Sequence, residues 1–336
     1  MPQKTIRQAL NEALKLEMRR DPRVVIMGED VTGGAGTGVD DAWGGAFGVT
    51  KGILGEFGRS RILDTPITES AFVGAAAGAA ATGLRPVAEI MFVDFMGVCL
   101  DQLMNQAAKF RYMFGGKAVT PMVLRATFGA GRRSAAQHSQ ALYSMFTHVP
   151  GLKVVIPSNA YDAKGLLIQA IRDDDPVIFL EHKLMYDDKA DVPDGAYTVP
   201  FGEANVVREG KHATIIAIGR MVKLAEAAAT SLAKQGIEVA IVDPRTTSPL
   251  DEDSIIEMAE ETGRVVIVDE SNPRCSVASD ISSIIAEKAF DALEAPIVKV
   301  TAPHAPVPYA PSLEDVYVPS TERIEAAVLK VMGKKA

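Results

Sequence analysis

The feature that most constrains the fold of this chain is a regular alternation of short apolar runs with helical or glycine-rich segments. The runs VVIMG (24–28), PVAEIMF (86–92) and PVIFLE (176–181) have the continuous apolar character of strands that are buried on both faces of a sheet. Because strands that alternate with crossover helices pair in parallel, this pattern predicts a doubly wound α/β fold.

The alternation is interrupted once. Residues 187–203 contain two prolines, two glycines and four aspartates and show no apolar periodicity, which is typical of a linker between domains. From ATIIAIG (213–219) to IVKVTAP (297–303), apolar runs and helical segments alternate again. We therefore expect two doubly wound α/β domains in series: one at 1–186, the linker at 187–203 and a smaller domain at 204–336.

Composition and charge exclude several classes of protein. The 43 acidic and 35 basic side chains leave a formal charge of −8, so the chain lacks the basic excess that nucleic-acid binding requires. The longest weakly polar run, at 72–84, has 13 residues, whereas a helix needs about 20 to cross a bilayer. The amino-terminal segment has amphipathic spacing rather than a signal-peptide core, and two cysteines are too few for a disulfide framework. We expect a cytoplasmic protein without a membrane span.

Motifs for nucleotide and zinc chemistry are incomplete. Eight glycines lie between Thr32 and Gly52, but a G-x-G-x-x-G spacing that starts at Gly34 meets Val39 at its last position. The GGKAV segment at 115–119 lacks the Ser or Thr that follows the lysine of a P-loop. The sequence contains neither H-E-x-x-H nor a pair of C-x-x-C motifs. Dinucleotide, P-loop and zinc sites are therefore not supported.

Four residues of the first predicted domain are candidates for chemistry, because ligands bind near the carboxyl ends of parallel strands. Glu29 follows the first apolar run, where it equally suits a cap for the next loop. Glu69 begins an Ala/Gly-rich helical segment, where a carboxylate can simply favour the helix dipole. His138 lies in a polar loop that suits catalysis and plain exposure alike, and Phe95 has the surroundings of a core residue. From the residues alone, both kinds of role stay open.

Longer blocks carry a resemblance to a known family. They are GED (28–30), RILDTPITESAFVGAAAGAAATGLRPVAE (61–89), DQLMNQAAKFRYMFGG (101–116), AAQHSQ (135–140), GLKVVIPSNAYDAKGLL (151–167), DPVIFLEHKLMY (175–186) and LED (313–315). The chain resembles the β subunit of the first component of thiamine-diphosphate-dependent 2-oxo acid dehydrogenase complexes. Within that family it is most similar to the acetoin dehydrogenase branch, through DDAWGGAFGVTKGI (40–53), NPRCSVASDI (272–281) and APHAPVPYAP (302–311). The resemblance implies an N-terminal pyrimidine-binding domain and a C-terminal transketolase-like domain.

The resemblance also implies roles for individual residues. Glu69 matches the glutamate that hydrogen-bonds N1′ of the cofactor aminopyrimidine, so that the cofactor's own nitrogen can take the proton from C2 of its thiazolium. Phe95 matches the aromatic residue that packs on the pyrimidine ring. Glu29 and Ile67 match positions in contact with the cofactor. His138 matches the histidine that faces the thiazolium and the substrate, where it donates to a developing alkoxide.

One motif of the family is absent. Its diphosphate and metal motif begins with Gly-Asp-Gly, which occurs nowhere in this sequence. Because the diphosphate needs a divalent cation held by oxygen ligands, the resemblance implies that an α subunit supplies the Mg²⁺ site within an α2β2 heterotetramer. In this family the C-terminal domain mediates assembly and docks the dihydrolipoyl acyltransferase core.

The acidic turn at Asp173 and Asp175 matches the place where relatives hold a structural potassium ion. Asp175 replaces the asparagine of some relatives, which changes the local charge. A K⁺ site and a plain solvated acidic turn are therefore both compatible with this sequence.

The resemblance leads to one expected activity with alternatives for its substrate. We expect an oxidoreductase subunit for a small-molecule substrate, which cleaves acetoin to acetaldehyde and passes the oxidised two-carbon fragment to lipoamide. Pyruvate or a branched-chain 2-oxo acid would use the same residues, with decarboxylation in place of aldehyde release. A non-catalytic assembly subunit would need neither Glu69 nor His138. A stand-alone transketolase-like enzyme would need the absent metal motif and a longer chain.

Overall fold

The structure of the chain is a computed structural model that describes residues 1–33, 41 and 43–334. Residues 34–40 and 42 lie outside the described residues. They include the glycines of the G-x-G-x-x-G spacing tested above and two positions of the block at 40–53.

Contacts within the chain divide it into two units. The first unit comprises Met1–Phe128 and Met145–Phe201, and the second comprises Gly129–Ser144 and Gly202–Ala336. Each unit contains strands of a sheet with helices packed around them. The predicted fold, two α/β domains in series, is confirmed.

The first unit contains a parallel sheet. Its strands are β1 (Gln3–Thr5), β2 (Val24–Gly28), β3 (Ile62–Asp64), β4 (Arg85–Phe92), β5 (Val123–Phe128), β6 (Lys153–Val155), β7 (Val177–His182) and β8 (Lys189–Asp191). Its helices are α1 (Ile6–Arg20), α2 (Leu54–Phe57), α3 (Glu69–Ala81), α4 (Phe110–Met113) and α6 (Ala160–Arg172), and α5 (Tyr143–Thr147) contains residues of both units. The strands β6-β7-β5-β4-β2-β3 lie side by side in that order, all parallel, whereas β1 and β8 form a separate antiparallel ribbon. The carboxyl ends of neighbouring β2 and β3 therefore face the same edge of the sheet.

Helix α1 begins where the sequence provides a capping box. The Thr5 hydroxyl accepts a hydrogen bond from the amide of Gln8 at 3.2 Å, and the Gln8 side chain accepts from the amide of Thr5 at 2.9 Å. Leu10 and Leu14 lie on the buried face of α1, which packs against α6. The amphipathic first helix expected from the sequence is present.

Residues 187–201, which have the composition of a linker, are packed within the first unit. Their strand β8 pairs with β1, and Val192 and Val199 are buried in the apolar core. A Cβ at Gly165 of α6 would collide with Tyr197 and Val199, so this stretch lies directly against the helix. Single apolar residues among the prolines and aspartates hold it in place, and they show no periodicity because most of the stretch is neither helix nor strand.

The second unit contains a mixed sheet. Its strands are β9 (Asn205–Arg208), β10 (Ala213–Ala217), β11 (Val239–Asp243), β12 (Thr246–Ser248), β13 (Val265–Asp269) and β14 (Val298–Thr301). Its helices are α7 (Met221–Ala233), α8 (Glu252–Thr262), α9 (Val277–Lys288), α10 (Pro311–Tyr317) and α11 (Thr321–Val331). The sheet order is β14-β13-β10-β11-β9, parallel except for β9, which is antiparallel at the edge. Among the described residues, no helix has both the length and the apolar character needed to cross a bilayer.

Candidate active site

Glu29 and Glu69 lie near one another in the first unit. Glu29 directly follows β2, and Glu69 is the first residue of α3. Burial, followed by the charges of Glu69 and Asp30, raises the pKa of Glu29 above its usual value. This shift indicates that the carboxylate of Glu69 lies close enough to Glu29 to act on it electrostatically.

Helix α3 holds Glu69 in closely packed surroundings. Its small residues let other segments approach: a Cβ at Gly74 would lie only 3.2 Å from the side chain of Gln102. Cys99 is buried within reach of the Glu69 charge, and burial, followed by that charge, raises the pKa of its thiol to about 12. The close packing expected of this Ala/Gly-rich helix is observed, and it leaves Glu69 only 9% exposed.

Phe95 lies at the end of a row of aromatic side chains. It meets Phe92 edge to face, with ring centres 5.6 Å apart, and Phe92 meets Phe47 in the same way at 5.7 Å. Phe47 in turn stacks on Tyr186 at 5.4 Å. The ammonium group of Lys183 lies 5.2 Å from the ring centre of Phe92. Phe95 is half-buried rather than enclosed as a core residue would be, so part of its ring remains accessible.

The turn between β3 and α3 presents two groups that suit a ligand. Ile67 is 83% exposed, which is high for a large apolar side chain. The hydroxyl oxygen of Thr65 is buried and has no hydrogen-bond partner among the described residues. One apolar and one polar group are thus available to a bound molecule two and four residues before Glu69.

His138 belongs to the second unit, where it is half-buried at the end of a short 3-10 turn. The structure therefore brings Glu29 and Glu69 together. Phe95 and Ile67 lie in the same unit as that pair, whereas His138 lies in the other.

The sequence analysis missed a buried ionic network at the centre of the first sheet. Arg125 of β5, which is 2% exposed, donates to Glu89 of β4 at 2.5 Å and makes two hydrogen bonds of 2.7 Å to Glu181 of β7. The Tyr186 hydroxyl donates to Glu181 at 2.5 Å. Burial raises the pKa of Glu89, although the nearby Arg125 opposes the shift. The sequence does contain a signal for this network, namely one charged residue within each of three apolar runs.

Basic side chains contact the acidic turn at Asp173 and Asp175. Lys153 donates to both carboxylate oxygens of Asp173 at 2.7 Å, and Arg111 forms an ion pair with Asp175. Arg85 donates to the backbone carbonyl oxygen of Asp173 at 2.9 Å. Within the described part of the chain, no three His, Cys, Asp or Glu residues are grouped to hold a metal ion. The oxygens of this turn are engaged by three cationic side chains, which favours a plain acidic turn over a K⁺ site.

The fold and two domain families define a chain of the transketolase type. Residues 2–189 match the domain family described as "Transketolase, pyrimidine binding domain", and residues 202–324 match "Transketolase, C-terminal domain". A split-gene transketolase, solved as an inactive β4 tetramer, has a TM-score of 0.78 at 23% identity, over 98% of this chain and 99% of that one. A transketolase from Leishmania mexicana has a TM-score of 0.70 at 17% identity, over 97% of this chain and 45% of the other.

Curated relatives narrow this class. The β subunit of acetoin:2,6-dichlorophenolindophenol oxidoreductase from Cupriavidus necator is 61% identical over 98% of this chain and 97% of its own length. The subunit of that name from Bacillus subtilis is 56% identical over the same shares. The β subunit of the pyruvate dehydrogenase E1 component from Rickettsia felis is 46% identical over 97% of this chain and 98% of its own. The chain belongs to the family of β subunits of acetoin and 2-oxo acid dehydrogenases, and the family predicted from the motifs is confirmed.

Membership of this family implies thiamine diphosphate as the cofactor, and the first unit offers groups that fit it. The largely buried carboxylate of Glu69 suits a proton on a ring nitrogen, and the accessible part of Phe95 suits contact with a flat ring. The buried hydroxyl of Thr65 offers a polar group that a ligand can satisfy.

Proposed function

We propose that this chain is the β subunit of a thiamine-diphosphate-dependent acetoin dehydrogenase. With its α subunit it cleaves acetoin to acetaldehyde and passes the remaining two-carbon fragment, oxidised to an acetyl group, to lipoamide. The observation that carries this proposal is the Glu29 and Glu69 pair, in a chain 61% identical to an acetoin oxidoreductase β subunit. The 46% identity to a pyruvate dehydrogenase β subunit makes pyruvate the second candidate substrate.

The side chains of this chain have separate roles in that reaction. Thiamine diphosphate, when bound, supplies a carbon nucleophile that adds to the substrate carbonyl. Glu69 holds a proton at N1′ of the aminopyrimidine, and Glu29 contacts the cofactor. Phe95 packs on the pyrimidine ring and Ile67 contacts the cofactor. His138 donates to the substrate oxygen on which negative charge develops.

The α subunit completes the site. Because the sequence has no Gly-Asp-Gly motif, we assign the ligands of Mg²⁺ to the α subunit of an α2β2 heterotetramer. We assign assembly and docking of the dihydrolipoyl acyltransferase core to the second unit. We assign the chain to the cytoplasm, because two cysteines are too few for a disulfide framework.

The substrate is tested with the heterotetramer purified from co-expressed α and β chains. With 2,6-dichlorophenolindophenol as electron acceptor, we expect kcat/KM for acetoin to exceed that for pyruvate and for 2-oxoisovalerate. A tenfold preference for either 2-oxo acid, equal to about 1.4 kcal/mol of transition-state discrimination, would transfer the proposal to that substrate.

The role of Glu69 is tested with Glu69→Gln, which keeps the shape of the side chain. We expect the rate of C2 proton exchange on the bound cofactor to fall by about 10²–10³, with the melting temperature almost unchanged. The matched control is Glu322→Gln, which removes an exposed carboxylate from the first turn of α11. This control measures how much stability is lost when a negative charge is removed from a helix amino terminus and nothing else changes. Normal exchange with a lowered melting temperature in Glu69→Gln would assign this residue to the helix dipole and favour an assembly role for the chain.

A further inference from the structure

Residues 129–140 form a loop, which we call the histidine loop, with an unusual backbone. The amide of Gly129 donates to the carbonyl oxygen of Gln140 at 3.1 Å, which closes the loop at its base. Arg133 and Ala135 both have a φ of 60°. A positive φ costs a residue with a side chain about 1–3 kcal/mol. The loop therefore needs contacts from outside itself to keep this shape.

A buried carboxylate of the second unit supplies such contacts. Glu314 of α10 is completely buried and accepts hydrogen bonds from the amides of Gly131 at 2.7 Å and Arg133 at 3.0 Å. The guanidinium of Arg133 adds a third bond to the same carboxylate at 2.8 Å, and it also pairs with the exposed side chain of Asp315. Hydrogen bonds to an ionised acceptor are roughly twice as strong as neutral ones. Glu314 thus holds Arg133, one of the two residues with a positive φ, in place. Arg133 precedes the short 3-10 turn Ala136–His138, which we call the histidine turn.

Two neighbouring carboxylates hold the flanks of the loop. Glu270 is buried and accepts from the amide of Ala130 at 2.5 Å. Asp269, at the end of β13, accepts from the hydroxyl of Tyr143, three residues past the loop. The amide of Ser271 donates to Asp269 at 2.8 Å and keeps that carboxylate in place. The chain is therefore anchored on both sides of its histidine turn.

We infer that Glu314 and Glu270 are positioning residues for His138, and that the second unit thereby takes part in catalysis in addition to assembly. The inference rests on the proposed catalytic role of His138. It follows from the contacts above because Glu314 and Glu270 together bind three amide groups of the loop backbone, at Ala130, Gly131 and Arg133. A displacement of about 1 Å in a catalytic group lowers the rate by up to about 10²-fold.

The first test is hydrogen exchange of the full-length chain, read by mass spectrometry. In Glu314→Gln we expect exchange in peptides of the histidine loop to speed up at least tenfold, with peptides of β10 and β13 unchanged. The matched control is Asp315→Asn, which removes only the exposed partner of Arg133 and should leave loop exchange at the wild-type rate. Unchanged loop exchange in Glu314→Gln, or faster exchange throughout the second unit, would overturn the inference. Should this variant fail to fold, Glu270→Gln is read by the same criteria.

The second test asks whether Glu314 acts through His138. In the heterotetramer, Glu314→Gln should lower kcat for acetoin by about 10- to 100-fold, with KM and cofactor affinity unchanged. In a His138→Ala background, the same substitution should cause no further loss. Independent, additive losses would overturn the inference. Failure of the proposed function would look different, because the wild-type heterotetramer would then leave acetoin unconverted while the exchange result for the loop stood.

Discussion

The buried network around Arg125 provides the sharpest prediction about stability. The change is Arg125→Met, which keeps an apolar stem of similar length but removes the cation between Glu89 and Glu181. Both carboxylates are within 2.7 Å of the guanidinium and nearly inaccessible to water. Breaking a buried pair by removing one partner costs about 3–5 kcal/mol, because the remaining charge is uncompensated.

The pH dependence of this loss follows from Glu89. Burial already raises its pKa in the wild-type chain, and without Arg125 nothing opposes that shift. The folded variant therefore keeps a proton that the unfolded chain releases, so its stability falls as the pH rises. Because an ordinary glutamate has a pKa of 4.5, the cost of holding this proton grows as the pH rises from 5 to 7. The loss caused by Arg125→Met should accordingly be larger at pH 7 than at pH 5.

The assay is urea unfolding of the full-length chain at pH 5, 6 and 7. Trp43 is the sole tryptophan of the sequence and lies in the first unit, so its fluorescence follows the unit that contains Arg125. The control is Arg19→Met, which removes a half-exposed partner of Glu56 and should cost only a small fraction of that loss at every pH. A loss of less than 1 kcal/mol at pH 7, or one that does not grow with pH, would refute the reasoning.

Three further predictions concern other sites. Gly151→Ala should destabilise the chain by about 2–4 kcal/mol in urea unfolding, because Gly151 has a φ of 100° and a Cβ there would overlap a backbone carbonyl. The control Gly195→Ala should destabilise it less, because Gly195 has a φ of 78° but open space around it. Iodoacetamide at pH 8 should label the exposed Cys275 but not Cys99, because burial raises the pKa of the Cys99 thiol to about 12. Equal labelling of the two cysteines in peptide maps would contradict this. Replacing K⁺ by Na⁺ should leave the melting temperature unchanged, because the Asp173–Asp175 turn is filled by basic side chains; stabilisation specific to K⁺ would refute this.

The fold, and Glu29 and Glu69 as separate candidates for chemistry, were accessible from the sequence because they depend on local order. Continuous apolar runs identified the strands, and Glu29 was found because it directly follows one of them. The Arg125 network was missed because it depends on register: Glu89 and Arg125 are partners across β4 and β5, which the sequence of either strand alone does not reveal. The assigned roles of Glu69, Phe95 and the other matched residues stay predictions.

Long-range contacts explain the other omissions. Glu314 and Gly131 are separated by 183 residues, so no local pattern connects them. Residues 187–201 have the composition of a linker, but two isolated valines, Val192 and Val199, anchor them in the core. Burial at single positions without periodicity leaves no recognisable signal in a chain read by itself.

The ribbon of β1 and β8 has a consequence for how such proteins evolve. Because Gln3 and Asp191 are register partners, the first strand of the first unit runs beside the strand that precedes its exit. Because its first and last strands are neighbours, such a unit can be joined to further chain segments at one place on its surface. The same architecture can therefore be encoded as a chain of this size or as one segment of a larger one, as in the Leishmania transketolase, of which this chain covers 45%.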